Sequence, residues 1–476
     1  MTKPLFPAIA LALLLAGCAG APPPKPVPSA PAAEWSAADP ALTGAAMRFD
    51  WWTAFGSAEL DRLVGDALAA NHEIAAAYAN LKAAGALARE ARQLSLPQGG
   101  LSGGIQRLRE PSATQPPIFR TPGAFPDMTI ATIGSELSWE TDFVGARGKT
   151  ARAALADARS ALWQRRQVEA AVAAQVVRAW LDLSRTRQLA SLTDGRIAVL
   201  DEMIAMTARR VASGGGTEAD LAALRQTREQ LAGEQPALAA LQRSALRRLA
   251  VLTARDPVAF VAEGAKLAAE ARTPDALAAD DPRTLLRMRP DVQIAEARLA
   301  AAFERAGASR AALYPSLSLG ATGGLAATPA DFGSPGAFRF AIGPALNWGI
   351  FNLGRVKAGI AAADATSEAA AAQWQQTLLA AVEEADGAID NWLAARKAAA
   401  TARRAEAAAQ VLLEAARSRQ RAGTIPAYAL AQAEADHLAA RTAQASAEAA
   451  ERDAWAFANL ALGAGWRDED NQAPSG

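Results

Sequence analysis

Two stretches of this chain repeat one another at a fixed offset of 209 residues, so that Trp139, Gly145, Arg210 and Gly214 return as Trp348, Gly354, Arg419 and Gly423. Self-similarity at one offset means a single structural unit used twice. Leu96-Pro97 likewise matches Tyr314-Pro315, with nine more residues between proline and tryptophan in the first half, which places a longer loop there. The 69 steps from Gly145 to Gly214, and from Gly354 to Gly423, lie in windows without proline, Asp127 to Gln235 and Ala345 to Ile425. At about 1.5 Å per residue each window predicts a helical rod of roughly 100 Å.

The rods read as coiled coil. Val176, Leu183, Ala190, Ile197 and Ile204 fall at intervals of seven, and Leu378, Val382, Ala385, Ile389 and Trp392 alternate by four and three. Both patterns give apolar seams for partner helices. Alanine at many remaining positions lets neighbours approach closely on several sides, as a cylinder wall requires. Each rod stops at a glycine able to take the left-handed conformation that ends a helix, and an apolar-periodic segment follows. Two antiparallel helical hairpins are expected, over 145–255 and 354–462.

Ahead of each rod the period changes from helical to two. Leu317, Leu319, Ala321 and Leu325 alternate with Ser316, Ser318, Gly320, Thr322 and Gly324; Phe338, Phe340, Ile342, Leu346 and Trp348 alternate with Arg339, Ala341, Gly343 and Asn347. A weaker version runs through Leu101 and Ile105, then Ala131, Ile133, Leu137 and Trp139. Strands are therefore expected at about 98–108, 128–142, 315–325 and 337–348, with Gly99-Gly100 and Gly103-Gly104 as lumen positions. Such segments of about ten residues, apolar on one side and small or polar on the other, closed by tryptophan, are what an outer-membrane strand requires. A soluble hairpin with one buried face is the alternative. Four strands cannot close a barrel, and an open sheet edge in lipid leaves backbone groups unpaired. Three copies supply twelve strands and twelve rods, a barrel continued by a tunnel.

Cys18 is the single cysteine, following the apolar run Leu5 to Ala16 with Lys3 ahead of it. This is the layout of an exported precursor. Leu15-Ala16-Gly17-Cys18 resembles a bacterial lipobox, which implies that residues 1–17 are a signal peptide. Cys18 then becomes the first mature residue, carrying N-acyl and S-diacylglycerol lipid, with a plain secretory signal as the alternative. Ala19, in place of aspartate, favours the outer membrane as destination. Pro22, Pro23, Pro24, Pro26, Pro28 and Pro31 make residues 18–48 a stiff tether. The first structural repeat is expected over 49–265 and the second over 266–466, with a helix at 291–313, and residues 467–476 as a disordered tail.

With 49 basic and 49 acidic residues the chain is formally neutral, which leaves no electrostatic footprint for nucleic acid. His72 and His437, the only histidines, are far apart and have no neighbouring thiol, so neither a metal site nor a cofactor is expected. Ser213-Gly214-Gly215-Gly216 lacks the lysine of a phosphate loop. An enzyme is not expected.

Several pieces in order extend the pattern: Trp51-Trp52 with Phe55 and Leu60; Ser138-Trp139-Glu140 with Asp142-Phe143 and Gly145; Arg289-Pro290-Asp291 with Ala295-Glu296 and Leu299; Phe351 with Gly354-Arg355; and Leu462-Gly463-Ala464-Gly465-Trp466. Over residues 49 to 466 the chain resembles the TolC-like outer-membrane factor family, in its lipoprotein branch of efflux channels. The resemblance implies a mainly helical homotrimer with a twelve-stranded membrane barrel and a periplasmic coiled-coil tunnel. It also implies a passive exit duct for small molecules, working with a periplasmic adaptor and an inner-membrane RND-type transporter. The adaptor is expected at the hairpin tips, Arg210 to Gly214 and Arg419 to Gly423. A lipid-anchored periplasmic scaffold or adaptor, or the exit duct of a type I secretion system, is the competing reading. The family commonly has aspartates six or nine residues beyond the second tip glycine, where this chain has Ala429 and Gln432. Asp220, Gln432 and Glu434 are then the candidates for the pore constriction, and Asp220 reads equally well as a solvated helix-start carboxylate.

Overall fold

The structure, a computed structural model, describes residues 34–45, 48–108, 128–267, 270–279, 281–284 and 288–466. Cys18, the leader, the proline-rich part of the tether and the tail expected at 467–476 lie outside the described residues. In chain order the elements are β1 (Leu42–Thr43), α1 (Ala58–Ala70), α2 (His72–Gln93), β2 (Gln98–Leu108), β3 (Met128–Thr141), α3 (Ala146–Ala212), α4 (Glu218–Leu252), α5 (Pro257–Glu263), β4 (Leu277–Ala278), α6 (Pro290–Arg310), β5 (Ser316–Ala327), β6 (Phe338–Asn347), α7 (Leu353–Arg421) and α8 (Ala427–Ala461). The rods α3 and α7 hold 67 and 69 residues. The nine-residue surplus of the first repeat falls between its strands, where 109–127 corresponds in sequence to the shorter 328–337 of the second.

Contacts divide the chain into two compact units that cut across the duplication, each taking matching parts of both repeats. One contains Ala84–Ala158 and Ala297–Ala372 and is organised by a four-stranded antiparallel sheet in the order β2-β3-β5-β6. β3 and β5, one from each repeat, form the seam. A Cβ on Gly324 would stand 2.3 Å from the Ile133 carbonyl oxygen and 2.5 Å from the Gly134 Cα, so this close approach of the strands requires glycine.

The other unit contains Ala30–Ala83, Arg159–Glu296 and Gln373–Gly476 and holds the main core. Trp51, Trp52 and Phe55 pack with Leu60, Leu63 and Val64 of α1 and with Trp455 of α8. The Phe55 and Trp455 rings meet edge to face at 5.3 Å. Helix α1 starts where the Ser57 hydroxyl accepts the Leu60 N–H, with Glu59 and Asp61 in its first turn facing the positive helix end. It ends at Asn71, whose buried amide donates to the Leu252 carbonyl while its side-chain oxygen accepts the Glu73 N–H and starts α2. Equivalent rod positions trade volume: Leu183 corresponds to Trp392 and Trp180 to Ile389, and all four are fully buried.

The seam at intervals of seven holds only in part. Val176 and Leu183 are buried, but Ala190, Ile197 and Ile204 are half exposed, and burial moves to Leu192, Leu200 and Met203. A straight helix drifts about 20° per heptad away from a 3.5-residue repeat, so a fixed column of sevens leaves the contact face. Proline ends neither hairpin early: Pro236 sits inside α4, which continues past it.

Candidate functional site

Strand register sorts the sheet into two faces. Across one face run the rows Gly103–Ile133–Leu325–Phe338, Leu101–Ser135–Gly323–Phe340 and Gly99–Leu137–Ala321–Ile342. Across the other run Ser102–Gly134–Gly324–Arg339, Gly100–Glu136–Thr322–Ala341 and Gln98–Ser138–Gly320–Gly343. Along these rows the first face is mainly apolar, and it is bare: Leu101, Phe340 and Ile342 are each at least 70% exposed. Gly99 and Gly103 belong to it, so only Gly100 and Gly104 of the expected lumen glycines lie on the small and polar face; alternation at period two separates the members of each pair. Both edges, β2 and β6, lack a further strand among the described residues.

Tryptophans lock each return strand to the chain entering its hairpin. Trp139 Nε1 donates to the Ser95 carbonyl and Trp348 Nε1 to the Leu313 carbonyl, both at 3.1 Å. The rod starts then differ. Gly145 has φ +74° and the Asp142 carboxylate accepts the Arg147 and Gly148 N–H groups at the α3 start, at 2.9 and 2.7 Å. Gly354 instead lies inside the first turn of α7.

At the tips the two repeats agree in detail. Gly214 and Gly423 take φ of +79° and +71°. Gly214 N–H donates to Val211 and Gly215 N–H to Arg210, while Gly423 N–H donates to Gln420 and Thr424 N–H to Arg419, all at 2.9 to 3.0 Å. These are paired Schellman bonds, and they explain the spacing of arginine, three residues, glycine: the arginine carbonyl is the third from the helix end and receives the closing bond. Arg210 and Arg419 are thus fixed at the backbone, with their cationic side chains in the last turn, where the helix dipole favours them.

Each constriction candidate has a partner within the chain. Asp220 forms a capping box with Thr217: its N–H donates to the Thr217 hydroxyl oxygen, and the Thr217 N–H and O–H both donate to its carboxylate. The hydrogen bonds from Thr217 hold the Asp220 carboxyl below the ordinary carboxylate range. Gln432 donates to Asp436 at 3.0 Å, and Glu434 pairs with Arg417 at 3.3 Å. Beside them Tyr428, Ala431 and Ala435 of α8 pack with Leu200 and Met203 of α3 and Leu231 of α4. Asp220, Gln432 and Glu434 thus each engage a neighbour of their own, Thr217, Asp436 and Arg417.

Periodicity alone assigned no roles to the ion pairs of the core unit. Arg289, buried, grips Asp291 through two bonds of 3.0 and 2.8 Å, pairs with Glu384 at 2.6 Å and donates to the Ala461 carbonyl. Burial alone would lower its pKa, and the two carboxylates outweigh that. It ties the start of α6 to α7 and α8. Gly463, with φ +93°, lies against the Met288 backbone, and Trp466 Nε1 donates to the Met288 carbonyl at 2.8 Å. Trp163 and Trp466 meet edge to face at 5.0 Å, and Arg166 lies against both rings, 4.4 and 4.6 Å from their centroids. Arg403 bridges Glu448 and the buried Glu451 at 2.8 Å each, and His437 meets Glu406 at 3.0 Å. No helix among the described residues is long and apolar enough to cross a membrane, and no group of acidic, histidine or cysteine side chains there is arranged to hold a metal.

The pattern defining outer membrane efflux proteins matches residues 63–255 and 282–464. The pyoverdine export outer membrane protein OpmQ of Pseudomonas putida is 29% identical over 389 residues, covering 80% of each chain. Outer membrane protein OprJ of Pseudomonas aeruginosa is 29% identical over 395 residues, covering 82% of this chain and 81% of its own. Among solved structures, the outer-membrane channel OprN superposes with a TM-score of 0.82 at 26% identity, over 94% of this chain and all of that one. VceC of Vibrio cholerae shares the fold, with a TM-score of 0.78 at 21% identity over 89% of this chain and all of its own.

Proposed function

Because this chain belongs to the outer membrane efflux protein family, we propose that three copies of it form the passive exit duct of a tripartite efflux pump, with a barrel of twelve strands continued by helical rods. The sheet carries this reading. Its exposed apolar face, rows of Leu, Ile and Phe, suits lipid, while the opposite face of Gly, Ser, Thr, Glu and Arg suits water. Its unpaired edges need strands that one chain does not supply, since lipid offers backbone groups no partner. Copies related by a three-fold axis place β6 of one beside β2 of the next and leave no edge.

The tips, each closed by a Schellman turn and flanked by Arg209 and Arg210 or Arg417, Arg419 and Arg421, form the surface for a periplasmic adaptor that joins the duct to an inner-membrane RND-type transporter. Cys18 carries the lipid anchor. The cargo is a small molecule that crosses without covalent change, and the chain performs no chemistry on it. The mass and symmetry of the purified protein in detergent decide the assembly. A three-fold particle is expected, and a well-folded monomer or dimer overturns the barrel. Fatty-acid labelling decides the anchor: label is expected on the wild type and should vanish in Cys18→Ser, and label retained by that variant overturns the assignment.

A further inference from the structure

We propose that Glu136 and Arg339 are specificity-determining residues of the duct, an acidic and a basic charge standing in adjacent rows of the barrel's lumen face. The proposal rests on the duct reading above, because closure is what turns the polar face of the sheet into a lumen.

That face is floored by the smallest side chains. Gly100, Gly104, Gly134, Gly320, Gly324 and Gly343 all lie on it, and a Cβ built on Gly100, Gly104, Gly320 or Gly343 would meet no atom within 4 Å. Only three charged residues share the face on the described strands: Glu136, Glu140 and Arg339. Glu140 is neutralised by Arg147 at 2.5 Å. The side chains of Glu136 and Arg339 make no ion pair or hydrogen bond among the described residues.

Their positions keep them apart. Glu136 shares its row with Gly100, Thr322 and Ala341, whereas Arg339 shares the adjacent row with Ser102, Gly134 and Gly324. They are two strands and one row from each other, which at about 4.8 Å per strand and 6.8 Å per row puts their backbones about 12 Å apart. Across it their side chains form no ion pair, and it is comparable with the screening length of physiological salt. Each charge therefore acts on what passes it. Three-fold repetition makes one ring of three carboxylates and one ring of three guanidinium groups, inside a low-dielectric wall that focuses their fields. Cations are favoured at one ring and anions at the other, so solutes carrying both signs of charge suit the whole path.

The test reads local potential with a thiol probe. Ala341→Cys places a cysteine in the Glu136 row, two residues from Arg339, and the assembled full-length protein in lipid vesicles is treated with methanethiosulfonate reagents of similar size but opposite charge, with the parent protein as background. Glu136→Gln in that variant should lower the ratio of cationic to anionic labelling rates by about five-fold, and Arg339→Gln should raise it by about as much. A ratio unmoved by either substitution, with Ala341→Cys readily labelled, overturns the proposal and leaves the duct standing. If Ala341→Cys labels with neither reagent while Phe340→Cys labels with both, the polar face is not a water-filled lumen, and the duct reading fails as well.

Discussion

The two compact units spend the same apolar residue types in opposite ways. In the helical unit Trp180, Leu183, Ile389 and Trp392 are wholly removed from water by their own chain, whereas in the sheet unit Phe338, Phe340, Ile342 and Leu346 are left exposed by it. Burial of apolar area is the main favourable term in folding, at about 25 cal/mol per Å². The helical unit collects that term within one chain. The sheet collects it from lipid and from neighbouring copies, and one chain alone leaves it incomplete.

The sharpest way to break this contrast is to remove one large side chain from each unit. Trp392→Ala should cost 3–5 kcal/mol, about what core cavities of that size cost, and lower the thermal midpoint in detergent markedly. Phe340→Ala should stay within about 0.5 kcal/mol of wild type, as exposed sites do. Phe340→Arg should instead block insertion into lipid vesicles, since a cation facing the bilayer midplane costs about 2–4 kcal/mol. Equal thermal losses for Trp392→Ala and Phe340→Ala would mean that the sheet face packs against protein. The Trp392 ring N–H has no acceptor among the described residues, so Trp392→Phe should retain most of the stability that Trp392→Ala loses.

A second contrast is electrostatic. Asp453, in the helical unit, is raised to about 6, first by burial and then by Asp182, against the lowering effect of Arg185, Arg178 and Arg452. A carboxyl raised in the folded state binds its proton more tightly there than in the unfolded chain. Its contribution is therefore complete below the unfolded value near 4 and is lost as pH rises through about 6. At about 1.4 kcal/mol per unit, the loss between pH 4 and 7 is on the order of 3 kcal/mol. Asp453→Asn should flatten that part of the stability profile. A profile with the same slope in the variant would place the titrating group elsewhere.

The sheet was legible in the sequence because period two and the 209-residue offset act locally: all four strands start and end within about two residues of their expected positions. The tip glycines were legible for the same reason, since a helix stop depends on one backbone conformation. The rod seam was less so. Which of Ala190, Ile197 or Leu200 is covered depends on which helices lie alongside at that level, and the partner set changes from the main core to the cluster around Met203 and Leu231. The surroundings of the gate candidates were the least legible. Residue type shows that Asp220 and Glu434 are acidic, but not that Thr217 and Arg417 already engage them.

The smallest effect separates two glycines that look alike in sequence. Gly423 has φ +71° and closes the second tip, so Gly423→Ala forces a side chain into the left-handed region at a cost of about 1–2 kcal/mol. Gly320 lies in β5 with open space where a Cβ would go, so Gly320→Ala should change stability by less than about 0.5 kcal/mol. The tip variant should show faster amide exchange at Gly423 and Thr424, whose N–H groups make the two closing bonds, with little change in the main core. Gly214→Ala should do the same at Gly214 and Gly215, since its bonds are equivalent. Unchanged exchange in Gly423→Ala would show that the tip tolerates another turn, and the agreement between the two hairpin ends would then not be a requirement of the backbone.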